Sequence, residues 1–166
     1  IQLLCEEILP ELKGLARFCD IFCEDHVYSA RESRRILTRA QELGYELKIH
    51  ADEIESVGGA ELACELGAIS ADHLGRISDQ GIGQMAACET VGVLLPGTTF
   101  YLNLPNKAPA RRMIEAGVAI ALATDLNPGS CLTESMPAIL TIACADLRMT
   151  PAEVICAATI NSAHAV

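Results

Sequence analysis

The sequence predicts an α/β protein in which parallel strands alternate with crossover helices. Apolar segments that suit buried strands occur at 17–24, 46–51, 68–73, 91–95 and 118–124, and helical patterns separate them. Glycines at positions 14, 44, 67, 92 and 117 fall near the junctions, 23 to 30 residues apart, which accommodates one helix, one strand and two loops. This alternation is typical of a parallel sheet covered by helices.

The predicted helices carry recognisable start and stop signals. The segment Ser29–Glu32 has the pattern of a capping box, and Thr150–Glu153 starts a later helix with proline at its first position. Gly44, Gly67 and Gly117 each follow a Glu-Leu or Glu-Ala pair, where a left-handed C-terminal cap is expected. These signals place the helices between the strands.

The composition favours an aliphatic, helix-covered sheet and excludes several kinds of partner. Hydrophobic residues make up 51% of the chain and aromatic residues only 4%, so the apolar bulk is aliphatic. The net charge of −10 argues against a nucleic-acid partner and an anionic membrane surface, because both require a basic face. We therefore expect neither partner, and no apolar run approaches the ~20 residues of a membrane span. A cytoplasmic location is expected as well, in keeping with the cysteines described next.

Eight cysteines raise the question of disulfides, but their placement favours reduced thiols. Cys64, Cys88, Cys144 and Cys156 lie in apolar or alanine-rich helical segments, where a thiol acts as a small hydrophobic group. No C-x-x-C pair occurs that would suggest a thiolate metal site. We therefore expect reduced, mostly buried cysteines, as is usual in the cytoplasm.

Ionisable residues follow three of the predicted strands, and their positions discriminate between two kinds of parallel sheet. They are His50, Asp52, Glu53, Asp72, His73 and Asp125. The carboxyl ends of parallel strands share one face, and in a barrel that face holds the active site. An open, doubly wound sheet is the alternative, but it usually has a glycine-rich phosphate loop, and G-x-G-x-x-G is absent here. The sequence therefore favours part of a barrel.

The residue types at these strand ends suit a metal-dependent hydrolase. His50 offers an imidazole to zinc or ferrous iron, and Glu53, three residues on, can accept a proton from an activated water. Each residue alone has a simpler explanation: His50 or His73 as a structural histidine, and Asp125 as the cap of the following helix. Two histidines, a glutamate and an aspartate at successive strand ends together make a metal hydrolase the leading hypothesis.

Several motifs carry a specific resemblance to a known family. KIHADE, SADHL and ALATDLNPGS, in this order and spacing, resemble the amidohydrolase superfamily of metal-dependent hydrolases. The segments DIFCED, GGAELACELGA, GVLLPGT and NSAHAV extend the resemblance over essentially all 166 residues, and FCED and TDLNPGS narrow it to the imidazolonepropionase family. The resemblance implies a partial (β/α)8 TIM barrel that comprises roughly strands four to eight with their helices.

The resemblance also implies a role for each matching residue. His50 and Asp125 would bind one divalent metal ion, zinc or iron, and Glu53 would be a substrate-binding general acid/base. His73 would face the reacting carbonyl group, and Asp125 would take part in catalysis as well as in metal binding. The further contacts expected with substrate or product are Asn127, Gly129 and Ser130. Without the resemblance, the turn that contains them would be interpreted as an ordinary loop.

The sequence departs from the family pattern in one respect that bears on domain organisation. The family's metal site also needs an H-x-H pair from the first barrel strand, and no H-x-H occurs here. We therefore expect residues 1–166 to be the C-terminal part of the barrel, without its first strands and the small flanking β-domain. His26 and His164 match no ligand position and are expected in a loop and in the C-terminal tail.

For the complete enzyme, the resemblance implies hydrolysis of a small molecule, 4-imidazolone-5-propanoate, to N-formimidoyl-L-glutamate in histidine degradation. A homodimer is a candidate assembly. Two other functions remain open: a deaminase of the cytosine or guanine type, which uses the same glutamate and metal on an exocyclic amine, and a non-catalytic barrel fragment. The absent H-x-H pair favours the last of these for the chain taken alone, which is expected to be inactive.

Overall fold

The computed structural model describes all 166 residues and contains one five-stranded parallel sheet. The strands are β1 (Phe18–Cys23), β2 (Glu46–Ala51), β3 (Ser70–His73), β4 (Val91–Leu94) and β5 (Ile120–Leu122). Each strand lies within the range that the sequence predicted for it.

Helices precede, connect and follow the strands. They are α1 (Leu9–Glu11), α2 (Ala30–Glu42), α3 (Gly59–Leu66), α4 (Asp79–Met85), α5 (Pro96–Tyr101), α6 (Ala110–Ala116), α7 (Met136–Asp146), α8 (Pro151–Cys156) and α9 (Ser162–His164). Two π-helical turns, Leu4–Ile8 and Ala157–Asn161, adjoin α1 and α8. None of these helices combines the length and hydrophobicity needed to cross a membrane.

The starts of α2 and α8 agree with the sequence signals. In α2, the Ser29 hydroxyl accepts the N–H of Glu32, and the Glu32 carboxylate accepts the N–H of Ser29, which completes a capping box. Thr150 and Glu153 form the same pair at the start of α8, with Pro151 within its first turn. Both predicted helix starts are confirmed.

Glycines end the helices that lead into the strands, with one exception. Gly44, Gly67 and Gly117 have left-handed backbone, with φ of 91°, 65° and 95°, as predicted for C-terminal caps. Gly92 instead lies inside β4, where a Cβ atom would come within 3.2 Å of the side chains of Leu74 and Met113. Gly92 is the second residue of the strand and so lies near the junction as predicted, but close packing rather than a turn favours glycine there.

The order of the strands discriminates between the two kinds of parallel sheet. Each strand pairs with the next one in the chain, so the order is β1-β2-β3-β4-β5 without reversal. A doubly wound sheet reverses direction at a switch point, and its ligands bind there. Sequential parallel pairing with helical crossovers is the pattern of a (β/α) barrel. The structure therefore confirms an α/β fold of the partial-barrel type.

The two faces of the sheet have different surroundings. In β2, Leu47, Ile49 and Ala51 are almost fully buried against the helices, whereas Lys48 and His50 alternate with them and are half-buried. The helix-covered face holds a core of 33 buried residues, and a smaller apolar cluster lies on the other face. This second face, here called the inner face, corresponds to the interior of a closed barrel, and His50 lies on it.

Cys64 and Cys88 form a disulfide that joins α3 to the segment after α4, 24 residues further along the chain. The other six cysteines are free, and three of them are buried. The prediction of reduced thiols throughout the chain is therefore wrong for one pair. The two cysteines meet because α3 and α4 pack side by side, and such tertiary proximity leaves no short spacing motif in the sequence.

The sheet has two open edges, β1 and β5, because neither strand has a second neighbour. Exposed edges of this kind pair readily with other chains. Expressed alone, residues 1–166 are therefore expected to associate, or to need a further polypeptide segment to remain monomeric. Light scattering and calorimetry check this expectation. A monodisperse monomer that unfolds in one cooperative transition would argue for a self-contained fold.

Candidate active site

The backbone turns sharply at the carboxyl ends of β2, β3 and β5, and an ionisable residue lies in each turn. Asp52, His73 and Asp125 adopt left-handed backbone with φ of 50°, 75° and 53°. Residues other than glycine rarely do so, and backbone strain of this kind concentrates at functional sites. The strained backbone and the strand-end residues predicted to form the site therefore lie at the same end of the sheet.

His50 lies on the inner face near the end of β2 and bonds to a carboxylate on β1. Its Nδ1 lies 2.9 Å from Oδ2 of Asp20, and this hydrogen bond is the main cause of the raised pKa of His50. A histidine whose Nδ1–H donates to a carboxylate keeps Nε2 free for a metal ion. Asp20 therefore favours the tautomer of His50 that a metal ligand requires.

Asp20, His50 and Asp72 form a polar group on the inner face. Their candidate ligand atoms all lie within 4.8 Å of one another. Asp72 pairs in register with His50, and one of its carboxylate oxygens is buried without a hydrogen-bond partner. Burial raises the pKa of Asp72, since desolvation disfavours the charged carboxylate. Asp125, the second metal ligand expected from the sequence, lies outside this group.

Glu53 and His73 face each other beyond the ends of β2 and β3. Nδ1 of His73 lies 3.5 Å from Oε1 of Glu53, both side chains are largely buried, and the His73 and His50 ring centroids are 5.2 Å apart. Burial, followed by the charge of His50, lowers the pKa of His73 to about 4, so His73 is neutral at neutral pH. Burial, followed by the charge of Asp125, raises the pKa of Glu53. A raised pKa suits a carboxyl group that must both accept and donate a proton.

Asp125 follows β5 and is held by a residue to which the sequence did not point. The buried Thr98, on α5, donates its hydroxyl to Oδ2 of Asp125 at 2.5 Å, which leaves Oδ1 available. The next helix, α7, is capped by Ser135, so Asp125 does not act as its cap. The charge of Asp125 contributes to the raised pKa of both His50 and Glu53, which reflects their proximity.

Asn127 organises the turn after Asp125. Its side-chain oxygen accepts the N–H groups of Gly129 and Ser130 at 2.8 Å each, so a bound carboxylate would have to replace Asn127 at these donors. Its Nδ2 donates to the Asp125 carbonyl and to the Ser130 hydroxyl. The Ser130 hydroxyl therefore accepts a bond from Asn127 and keeps its own proton to donate.

The other two histidines make none of these contacts. His26 is in the turn after β1, with a side chain that is 93% exposed and pairs with Asp25. His164 is the last residue of α9. Both agree with the loop and tail positions expected from the sequence.

Asp20 and Thr98 support the site residues but were not predicted to do so. Asp20 is a charged residue inside an otherwise apolar strand, which is a usable signal for a functional or paired carboxylate. Thr98 has no such signal, because its contact with Asp125 spans 27 residues of sequence and depends on where α5 lies.

Asp52 has a structural role that its position among the strand-end residues did not indicate. Its fully buried carboxylate accepts the backbone N–H groups of residues 57–60 at 2.8 to 3.2 Å. These amides lead into and begin α3, where helical N–H groups lack partners within the helix. Asp52 thereby caps α3 and fixes one side of the loop in which Glu53 lies.

Asp52→Ala is expected to destabilise the protein because it leaves these buried N–H groups without acceptors. One unsatisfied buried donor costs about 1–3 kcal/mol, so we expect a loss of at least that size in the free energy of unfolding. Glu55→Ala, on the same loop but with a side chain that is 56% exposed, is the control and should change stability by less than about 0.5 kcal/mol. Denaturant unfolding compares the two variants, and equal stabilities would contradict the capping role.

Solved structures define the class of fold. A crystal structure of an amidohydrolase matches 98% of this chain with a TM-score of 0.75 at 22% identity, and the match covers 45% of that protein. An adenosine deaminase from Xanthomonas campestris with bound zinc gives a TM-score of 0.72 at 19% identity, over 95% of this chain and 42% of the deaminase. At these identities the likeness concerns the fold alone. The chain has the fold of part of an amidohydrolase barrel.

The close relatives in sequence are imidazolonepropionases. The imidazolonepropionase of Streptococcus gordonii is 52% identical over 168 aligned residues, which cover 100% of this chain and 40% of the relative. That of Bacillus thuringiensis is 56% identical over 162 residues, or 96% of this chain and 38% of the relative. The resemblance predicted from the motifs is therefore confirmed, and the chain spans about 40% of the length of these relatives. No family model matches the chain.

Proposed function

We propose that residues 1–166 are the C-terminal barrel part of an imidazolonepropionase and carry its proton-transfer residues. The observation that supports this most directly is the cluster of His50, Glu53 and His73, in a chain 52% identical to an imidazolonepropionase. The reaction is the hydrolysis of 4-imidazolone-5-propanoate to N-formimidoyl-L-glutamate. Because the relatives are longer than this chain, the rest of the barrel would supply further ligands and substrate contacts.

His50 and Asp125 suit one divalent metal ion, zinc or iron, as ligands. Both are residue types that these metals bind. Asp20 pairs with Nδ1 of His50 and leaves Nε2 free for a metal ion, and Thr98 bonds to Oδ2 of Asp125 and leaves Oδ1 free. Catalytic zinc sites usually have about three protein ligands, so the proposal requires at least one from outside this chain. When bound, the ion supplies Lewis acidity, which acidifies water and polarises a carbonyl group.

In this proposal Glu53 transfers the proton. It accepts a proton from water as the water oxygen bonds to the ring carbonyl carbon, and it delivers that proton to the ring nitrogen as the carbon–nitrogen bond breaks. Neutral His73 donates a hydrogen bond to the oxygen on which negative charge develops. The carbonyl carbon becomes the new carboxylate, and the released nitrogen becomes the end of the formimidoyl group. The expected contacts with substrate or product are Asn127, Gly129 and Ser130.

Turnover assays of the complete polypeptide that carries this chain test the proposal. We expect 4-imidazolone-5-propanoate to be converted to N-formimidoyl-L-glutamate, and no ammonia to be released from cytosine or guanine. Ammonia release from either base without imidazolone turnover would favour the deaminase alternative. A folded, metal-containing polypeptide with no turnover of any of the three would favour a non-catalytic role.

Residues 1–166 prepared alone are expected to bind a metal ion weakly and to show no turnover. The chain offers two predicted ligands, His50 and Asp125, where catalytic zinc sites usually have about three or more. Elemental analysis after dialysis against a mild chelator, together with the same turnover assay, checks this. A stoichiometric metal with measurable turnover would show that the site is complete within this chain and assigned to the wrong residues.

The proposed substrate is a small molecule, and no nucleic-acid or membrane partner is proposed. A net charge of −10 supports the absence of a nucleic-acid partner, because phosphate binding needs a basic face. The cytoplasmic location and the homodimer stay predictions. The disulfide between Cys64 and Cys88 is the one feature that is unusual for the cytoplasm.

A further inference from the structure

Glu24 is a buried carboxylate that has no role in the site described so far. It follows β1 directly and is only 2% exposed. Its carboxylate accepts three backbone N–H groups, those of Asp25 at 2.8 Å, Ile54 at 2.8 Å and Glu55 at 3.2 Å. The last two donors lie in the loop after β2, about 30 residues away in sequence. Glu24 therefore ties the end of β1 to that loop.

The loop that Glu24 holds contains Glu53, and two further contacts restrain the same segment. The amides bonded to Glu24 are those of the two residues that directly follow Glu53. Asp52 precedes Glu53 and is fixed by its own bonds to the start of α3. In the loop after β3, Gly75 packs so closely that a Cβ atom there would come within 2.8 Å of the Glu53 carbonyl oxygen. The Glu53 backbone is thus held from three directions.

The free-energy cost of burying the Glu24 carboxylate indicates that its three hydrogen bonds are needed to keep it in place. Burial of a carboxylate is unfavourable unless hydrogen bonds replace its hydration, and bonds from N–H groups to an ionised oxygen are among the stronger ones in proteins. All three donors here are backbone groups, so Glu24 positions the main chain of the loops that follow β1 and β2. Of these two loops, only the one after β2 carries a residue proposed to take part in the reaction, which is Glu53.

We propose that Glu24 is a positioning residue for Glu53: through two backbone amides it holds the Glu53 carboxylate opposite His73, in the orientation that proton transfer requires. The inference rests on the proposed function of Glu53 and adds the residue that sets its geometry. Rates are sensitive to such placement, since a displacement of about 1 Å at a reacting group can lower them by ~10²-fold.

Glu24→Ala and Glu24→Gln in the complete polypeptide test this role, with Asp25→Ala as the matched control. Asp25 is the neighbouring acidic residue, and its side chain is 56% exposed. Glu24→Ala is expected to lower kcat by about 10–10²-fold, with KM and metal content within about twofold of the parent. Glu24→Gln keeps one acceptor oxygen and should recover part of the loss. Asp25→Ala should match the parent.

A positioning role also predicts that the effect depends on Glu53. In a Glu53→Gln background, Glu24→Ala should change kcat by less than about twofold, because the group that Glu24 positions is already absent. An equal loss of kcat in both backgrounds would overturn the inference and leave Glu24 with a structural role only. A loss of metal, or an unchanged kcat in Glu24→Ala, would overturn it as well.

Amide hydrogen exchange provides a readout that does not need turnover. Exchange at Ile54 and Glu55 should accelerate by at least ~10-fold in Glu24→Ala but not in Asp25→Ala, because only the first variant removes their acceptor. Absence of imidazolone turnover in the parent polypeptide would contradict the proposed function, whereas unchanged exchange in a folded Glu24 variant would overturn the inference itself. If Glu24→Ala does not fold, Glu24→Gln serves for the same comparisons.

Discussion

Glu53→Gln in the complete polypeptide is expected to lower kcat for 4-imidazolone-5-propanoate by about 10²–10⁴-fold, with metal content unchanged. Glutamine keeps the size and hydrogen-bonding shape of the side chain but cannot accept the proton of water. Glu53 lies three residues after His50 and contacts His73, so it is next to the predicted metal ligand without being one. Turnover and elemental analysis of iron and zinc on the same sample measure both quantities.

Glu55→Gln is the matched control for this substitution. Glu55 lies two residues further along the same loop, and its exposed side chain pairs with Arg76 at 3.9 Å. We expect its kcat to match the parent. Near-normal kcat in Glu53→Gln, or a loss of its metal, would show that Glu53 is not the proton-transfer group.

His50→Ala is expected to weaken metal binding by more than about 10²-fold and to abolish turnover. Loss of a group that merely supports a metal ligand typically lowers affinity by ~10–100-fold, and His50 is proposed as a ligand itself. Metal titration, and elemental analysis after dialysis, measure the change. His26→Ala is the control, since the side chain of His26 is 93% exposed and pairs with Asp25 rather than with a site residue. Full metal occupancy in a folded His50→Ala variant would contradict the ligand role.

The strands and helix starts were predictable because they depend on local patterns. β2 begins and ends where the sequence indicated, at Glu46 and Ala51, since an apolar alternation between a glycine cap and a polar loop defines a strand without reference to the rest of the chain. The Ser29 capping box is equally local. Gly92 shows the limit of this reasoning, because only the packing around β4 distinguishes a strand glycine from a helix cap.

The general location of the candidate site was also predictable, because the carboxyl ends of parallel strands must meet at one end of the sheet. The partners of each residue were not. The bond between His50 and Asp20 depends on the register of β1 against β2, and the bond between Asp125 and Thr98 depends on the path of the chain after β4. Neither register nor path follows from residue spacing.

Adjacent carboxylates show why residue type alone does not assign a role. Asp52 and Glu53 are neighbours at the end of β2, yet the Asp52 carboxylate accepts backbone amides at the start of α3, whereas the Glu53 carboxylate faces His73. The carboxylate of Glu24, in the FCED motif, accepts the two backbone amides that follow Glu53. With left-handed backbone at Asp52, the two side chains point in different directions, and the sequence motif did not reveal this φ angle.

The central proposal is that this chain supplies the proton-transfer part of an imidazolonepropionase site. Replacing the matching segment of Streptococcus gordonii imidazolonepropionase by residues 1–166 tests it most directly, because the relative, 52% identical over the aligned segment, provides the rest of the polypeptide. We predict that this graft hydrolyses 4-imidazolone-5-propanoate with kcat/KM within about tenfold of the relative, and that Glu53→Gln removes the activity. A folded, metal-loaded graft that does not turn over the substrate would contradict the proposal.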